Sequence, residues 1–105
     1  MADTARLSII IPTLDEAATI EALLAQLSPW ASQGVELLVV DGGSLDETVS
    51  RASPLASRVI ISEAGRSRQM NTGAREARAS HLLFLHADTR LPRDADRLIA
   101  SALSS

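Results

Sequence analysis

Along the chain, unbroken apolar runs of strand length alternate with segments whose apolar positions recur every three or four residues. The run from Leu7 to Ile11 (LSIII) is rich in β-branched residues and closed by Pro12, the pattern of a strand buried on both faces. From Glu16 to about Leu27, the apolar residues Ile20, Leu23, Leu24 and Leu27 fall at i, i+3, i+4 and i+7, one stripe of an amphipathic helix. Ser28-Pro29 and Gly34 are its expected stop. Val35 to Val40 (VELLVV) predicts a second strand, Asp46 to about Ser53 a short helix, and Arg58 to Ile61 (RVII) a third strand. A third helix is expected from Arg68 to Ala79, with Met70, Ala74 and Ala77 on one side, and a fourth strand from His81 to Leu85 (HLLFL). Pro92 suits the first turn of a last helix, whose stripe is Ala95, Leu98, Ile99, Ala102 and Leu103.

This alternation points to an α/β fold with a mainly parallel sheet and helices on both faces. Ligands of such sheets bind beyond the carboxyl ends of the strands, where the winding direction reverses. The first strand ends in Pro12-Thr13-Leu14-Asp15-Glu16, the second in Asp41-Gly42-Gly43-Ser44-Leu45-Asp46 and the fourth in His86-Ala87-Asp88, so acidic residues collect at one edge. The third strand leads through Ser62-Glu63-Ala64-Gly65 to Arg66 and Arg68. Cations beside a helix start suit an anionic, phosphorylated ligand.

Composition narrows the field. At 105 residues the chain reads as one domain, residues 1–105, able to bury roughly two thirds of its unfolded surface. A net charge of -3, with one Trp and one Phe as the only aromatics, argues against a nucleic-acid partner. All ten basic residues are arginine. With no cysteine, disulfides, thiolate metal sites and thiol nucleophiles are excluded. No apolar run approaches the ~18 residues of a membrane span and no secretory leader is evident, so a cytoplasmic domain is expected.

The stretches "SIIIPTLDEAATIEALLAQL", "VELLVVDGGSLDET" and "GRSRQMNTGAREARASHLLFLHADTRLP" follow one another at a spacing that resembles the nucleotide-binding half of the family-2 glycosyltransferases. The resemblance implies a GT-A fold, a Rossmann-like parallel sheet in the order 3-2-1-4, and transfer of a sugar from a nucleotide-diphosphate sugar to an acceptor with inversion. It implies that Pro12, Thr13, Asp15 and Glu16 border the nucleoside pocket, that Asp41 accepts hydrogen bonds from the base, and that Gly43 belongs to the same nucleotide-binding set. Arg66 and Arg68 would clamp the phosphates. Asp88 matches the last aspartate of the motif that holds Mn²⁺ or Mg²⁺, a hard cation that favours carboxylates and phosphates and offsets charge on the departing diphosphate.

Two departures stand out. Relatives often carry Asp-Asp-Gly-Ser where this chain has Asp41-Gly42-Gly43-Ser44, one carboxylate fewer. His86 replaces the first aspartate of the metal motif, leaving Asp88 as its oxygen ligand with imidazole beside it, so a weakened metal site is expected. The acceptor half and a catalytic base have no counterpart; Asp94 and Asp96 fit the polar face of the last helix. The chain therefore reads as a lobe truncated relative to a whole glycosyltransferase domain, with the apolar HLLFL edge left open for pairing with a second copy.

Plainer readings stand beside these. Thr13-x-x-Glu16 and Ser44-x-x-Glu47 both fit the capping box, and Asp46 suits the positive end of a helix dipole. Trp30 reads as a packing anchor, His81 as structural, and Arg75 and Arg78 as a solvated helix face. A receiver-like signalling module would need a lysine, which the chain lacks, and a nucleotidyltransferase a glycine- and lysine-rich loop where Pro12 to Glu16 stands. A non-catalytic lobe that binds a nucleotide or forms oligomers remains the alternative to a transferase.

Overall fold

The computed structural model describes residues 5–89, 97 and 99–101. Strand β1 (Leu7–Thr13) leads into helix α1 (Ala17–Ala31), followed by β2 (Val35–Asp41), α2 (Thr48–Ala52), β3 (Arg58–Ile61), α3 (Arg66–Glu76) and β4 (Leu82–Phe84). The strands form one sheet in the order β3-β2-β1-β4, and every neighbouring pair is parallel. This is the architecture expected from the alternation, in the strand order that the resemblance implied.

Every residue of β1 and β2 is buried, because these central strands are covered on both faces. Successive side chains of a strand point to opposite sides. Leu7, Ile9, Ile11, Leu37 and Val39 accordingly pack with Ile20, Leu23, Leu24 and Leu27 of α1 and Ala52 of α2, while Ile10, Leu38 and Val40 pack with Ala74 and Ala77 on the other face. Each fully buried Leu or Ile is worth about 1.5–3 kcal/mol, so the two central strands carry most of the cohesion. Trp30 packs against the first cluster, as does Ile99, which is 2% exposed. Residues 97 and 99–101 are helical; Pro92, Asp94, Ala95, Asp96, Leu98, Ala102 and Leu103 lie outside the described residues.

Element ends depart from expectation where polar groups intervene. Helix α1 runs through Pro29 to Ala31. Pro29 has no N–H for the carbonyl of Ala25, and the hydroxyl of Ser28 donates to that oxygen instead (3.1 Å). The chain then turns at Gly34, whose φ of +88° is open to glycine. Helix α3 begins at Arg66 and stops at Glu76, with Ala77 extended, because the next amides are drawn to the lower edge of the sheet. There the N–H of Arg78 donates to Glu36 Oε1 (3.0 Å), the N–H of Ala79 to Ser8 Oγ (3.1 Å), and Ser8 Oγ to Glu36 Oε1 (2.7 Å). Glu36 is 6% exposed and lies 3.6 Å from Arg58, which also pairs with Glu76 at 2.9 Å. The Ser8 amide donates to the His81 carbonyl (2.9 Å), so this cluster fixes where β4 starts. Strand β4 is shorter than expected; Leu82 and Phe84 share one of its faces and are part-exposed, and its outer edge has no partner strand among the described residues.

Helix α3 approaches the sheet closely at Gly73. A Cβ there would lie 2.5 Å from Ile10 Cγ2 and 3.1 Å from Val40 Cγ2, both in fully buried side chains. Alanine favours a helix by roughly 1 kcal/mol over glycine, yet this clash reverses the sign. Gly73→Ala is expected to lower stability in urea by about 1–3 kcal/mol; an unchanged or raised midpoint would contradict this packing.

Candidate active-site cleft

The strand ends that were expected to carry chemistry meet above β1 and β2. Thr13 and Asp41 are partners in the parallel register, and Asp41 is 1% exposed. Its Oδ1 accepts the hydroxyls of Thr13 (2.7 Å) and Ser44 (2.6 Å), and its Oδ2 accepts the N–H groups of Gly43 (3.0 Å) and Ser44 (2.7 Å). Gly43 adopts φ +97°, which lets the chain fold back over the carboxylate. Burial works to raise the Asp41 pKa, but the hydrogen bonds from Ser44, Thr13 and Gly43 outweigh it and hold the group below its ordinary value.

The loop after β1 and the loop after β2 cap each other. The Asp15 amide donates to Ser44 Oγ (2.8 Å), while Asp15 Oδ1 accepts the amides of Leu45 (2.7 Å) and Asp46 (3.3 Å). Asp15 itself takes φ 52° to do so. The first amides of α1 find acceptors in the second loop: Glu16 N–H donates to Thr48 Oγ1 (2.8 Å) and Ala17 N–H to Asp46 Oδ2 (3.2 Å). Neither expected capping box forms, because the hydroxyls of Thr13 and Ser44 are directed to Asp41 and the helices start at other residues. Asp46 Oδ1 accepts the Thr48 hydroxyl and N–H; the hydroxyl bond is the main cause that holds the Asp46 pKa below its ordinary value, desolvation opposes it, and the Thr48 and Ala17 amides add to the lowering.

Beside these loops lies a cleft of about 280 Å³ at the carboxyl edge of the sheet. Of the residues singled out in sequence, Pro12, Thr13, Glu16, Arg66, His86 and Asp88 line it. Asp15, Asp41, Gly43 and Arg68 do not. Asp15 faces a shallower depression shared with Asp46, Arg51 and Asp88. Arg68 turns away into an ion pair with Glu63 at 2.7 Å, so Arg66 is the arginine of the cleft. Gln69, which sequence reasoning did not single out, also lines it and is 3% exposed. Its signal was position, one helical turn before Gly73 on the side of α3 that faces the sheet.

Among the described residues no group of three or more His, Asp and Glu side chains forms a protein-only metal site. His86 and Asp88 stand within one turn, closed by the Thr89 amide donating to the His86 carbonyl (2.9 Å). Both open into the cleft, which suits a hard cation only if a ligand supplies the remaining oxygens. No helix among the described residues is long and apolar enough to cross a membrane.

The family model described as Glycosyl transferase family 2 matches residues 8–104. The chain belongs to glycosyl transferase family 2. A PGL/p-HBAD biosynthesis glycosyltransferase of Mycobacterium bovis (strain BCG / Pasteur 1173P2) is 42% identical over 98 residues, which are 87% of this chain and 38% of that protein. Glucosyl-3-phosphoglycerate synthase from Mycobacterium tuberculosis, solved in complex with uridine diphosphate, aligns with a TM-score of 0.79 at 26% identity, over 94% of this chain and 40% of that one. The same enzyme in complex with Mn²⁺, uridine diphosphate and phosphoglyceric acid aligns with a TM-score of 0.71 at 27% identity, over 77% and 32%. The fold of this family-2 chain is thus a partial GT-A domain, and the chain spans well under half the length of these relatives.

The Asp41 network makes a prediction about this family-2 fold. Asp41→Asn removes an acceptor while leaving the Gly43 and Ser44 amides in place, and about 1–3 kcal/mol of stability is expected to be lost at pH 7. A carboxylate whose folded pKa is lowered stabilises the fold above its unfolded pKa, near 3.9, and loses that contribution as pH falls through the folded value. The stability gap between wild type and Asp41→Asn in urea should therefore narrow as pH falls below about 4; a gap of constant size would contradict it.

Proposed function

We propose that the cleft bordered by residues 12–16, the start of α3 and residues 86–88 is the donor site of a glycosyltransferase, taking the diphosphate of a nucleotide sugar. The observation that carries this reading is the meeting of one cation, Arg66, with His86 and Asp88 in a cleft at the carboxyl edge of the sheet, between β1 and β4. That is the position where the strand order reverses and where parallel sheets bind ligands. The relatives' complexes with uridine diphosphate and Mn²⁺ support the same ligand class.

In this reading Arg66 donates charge-assisted hydrogen bonds to phosphate oxygens, next to a helix start that favours negative charge. His86 and Asp88 hold a divalent cation jointly with the diphosphate, and such a cation, when bound, offsets charge on the leaving group. Pro12, Thr13 and Glu16 form the wall on the nucleoside side. Asp41 serves that wall differently from the base contact that the resemblance implied. Its four internal donors fill the roughly four lone-pair sites of a carboxylate, so it holds the turn of Gly43 and Ser44 in place. Asp15 likewise works through the interlock of the two loops, and Gly43 by allowing the turn. Arg68, held by Glu63, supports the segment before α3.

Calorimetric titration with uridine diphosphate, with and without Mn²⁺, tests the reading. Wild type should bind more tightly with Mn²⁺, Asp88→Ala should lose that dependence, and Arg66→Ala should bind about tenfold more weakly in either condition. Equal Mn²⁺ dependence in wild type and Asp88→Ala would remove Asp88 from the site, and no binding by wild type would remove the site.

A further inference from the structure

We infer that Gln69 is the positioning residue of the cleft, and that position 42 is glycine because the Gln69 carboxamide occupies the space a side chain there would need. The geometry stands without any ligand; its consequence for nucleotide binding rests on the donor-site reading above. Gln69 is 3% exposed, and all of its amide's polar atoms are engaged. Its Nε2 donates to the carbonyl of Thr13 (2.9 Å) at the end of β1 and to the carbonyl of Val40 (2.9 Å) near the end of β2. Its Oε1 accepts the N–H of Gly65 (3.1 Å). One side chain therefore joins the two central strands to the turn that opens α3.

Gly65 has φ +131°, a conformation open to glycine, and Arg66 follows it directly into the cleft. Fixing the Gly65 amide fixes where the cleft's arginine leaves the backbone. The Thr13 carbonyl also accepts the Gly42 amide (2.9 Å), so the same oxygen anchors both the wall of the cleft and the turn after β2. A Cβ on Gly42 would stand 2.8 Å from Gln69 Oε1, 3.0 Å from its Cδ and 3.1 Å from the Cα of Ala64. Any side chain at 42 must displace the carboxamide or the Ala64 backbone. The space beside position 42 is thus filled by a neutral amide, its donors and acceptor already engaged, which does not repel an anionic ligand.

The test combines binding with amide hydrogen exchange on the whole chain. Gln69→Leu keeps most of the volume and removes the three hydrogen bonds; its affinity for uridine diphosphate should fall about tenfold. If Gln69 acts through Arg66, the loss on adding Arg66→Ala to Gln69→Leu should be much smaller than in wild type, a coupling that a purely structural role would not produce. Gly42→Ala should weaken binding in the same direction and add little to Gln69→Leu. In exchange experiments the Gly65 amide and the Gln69 side-chain amide should be protected in wild type, and Gly65 should lose protection in Gln69→Leu and Gly42→Ala. Wild-type affinity in Gln69→Leu, or full additivity with Arg66→Ala, would overturn the proposal. Should wild type fail to bind uridine diphosphate, the donor-site reading falls, and the positioning role is decided by exchange: an unprotected Gly65 amide in wild type overturns it. Should Gln69→Leu not fold, Gln69→Glu, which keeps the shape and the acceptor for Gly65 but loses both donors, is read in the same way.

Discussion

The carboxylate of Asp41 is the point on which the upper edge of this molecule depends. Parallel strands leave their last carbonyls and the following amides without ladder partners, and buried groups of that kind must be satisfied locally. Asp41 does so for the turn after β2, and its bond to Thr13 ties that turn to β1. From this anchor the second loop reaches across to supply acceptors for the first amides of α1, while Asp15 returns acceptors to the second loop. The wall of the cleft is therefore built from two loops that each satisfy the other's backbone.

The opposite edge of the sheet is organised on the same logic with a different acid. Glu36 receives the Ser8 hydroxyl and the Arg78 amide and lies against Arg58, which sets the path from α3 into β4. A buried carboxylate of this kind contributes little net stability beyond what an apolar replacement would give, since desolvation opposes the attraction. Its effect is on geometry: it ends α3 and places β4, and β4 in turn delivers His86 and Asp88 to the cleft. Position at one edge of the sheet is thus determined partly at the other.

Much of the fold was legible from pattern alone. The unbroken apolar runs at Leu7 and Val35 marked the central strands because both faces are covered, and the stripe from Ile20 to Leu27 marked the face of α1. What pattern did not reveal was where side chains redirect the backbone. Ser28 carried α1 past Pro29, and Glu36 cut α3 short of Ala79. In the site, the residues at strand ends were visible by type and place. The division of labour among them was not, since it depends on which hydroxyl reaches which carboxylate. Thr13 and Ser44 looked like caps and instead serve Asp41, and the ion pair of Arg68 with Glu63 was not visible in the spacing. Gln69 was passed over because a glutamine on a helix ordinarily faces water, although the close approach at Gly73 and the packing of Ala74 and Ala77 place this side of α3 against the sheet.

The central claim is that nucleotide is taken at the carboxyl edge, in the cleft between β1, α3 and β4. Mapping backbone amide shifts by two-dimensional NMR during addition of uridine diphosphate and Mg²⁺ tests it most directly. The account predicts changes concentrated at Leu14, Glu16, Gly65, Arg66, Ala87 and Asp88, with Val35, Glu36 and Arg58 at the far edge unaffected. Changes concentrated at the Glu36 edge, or along the outer side of β3, would contradict it.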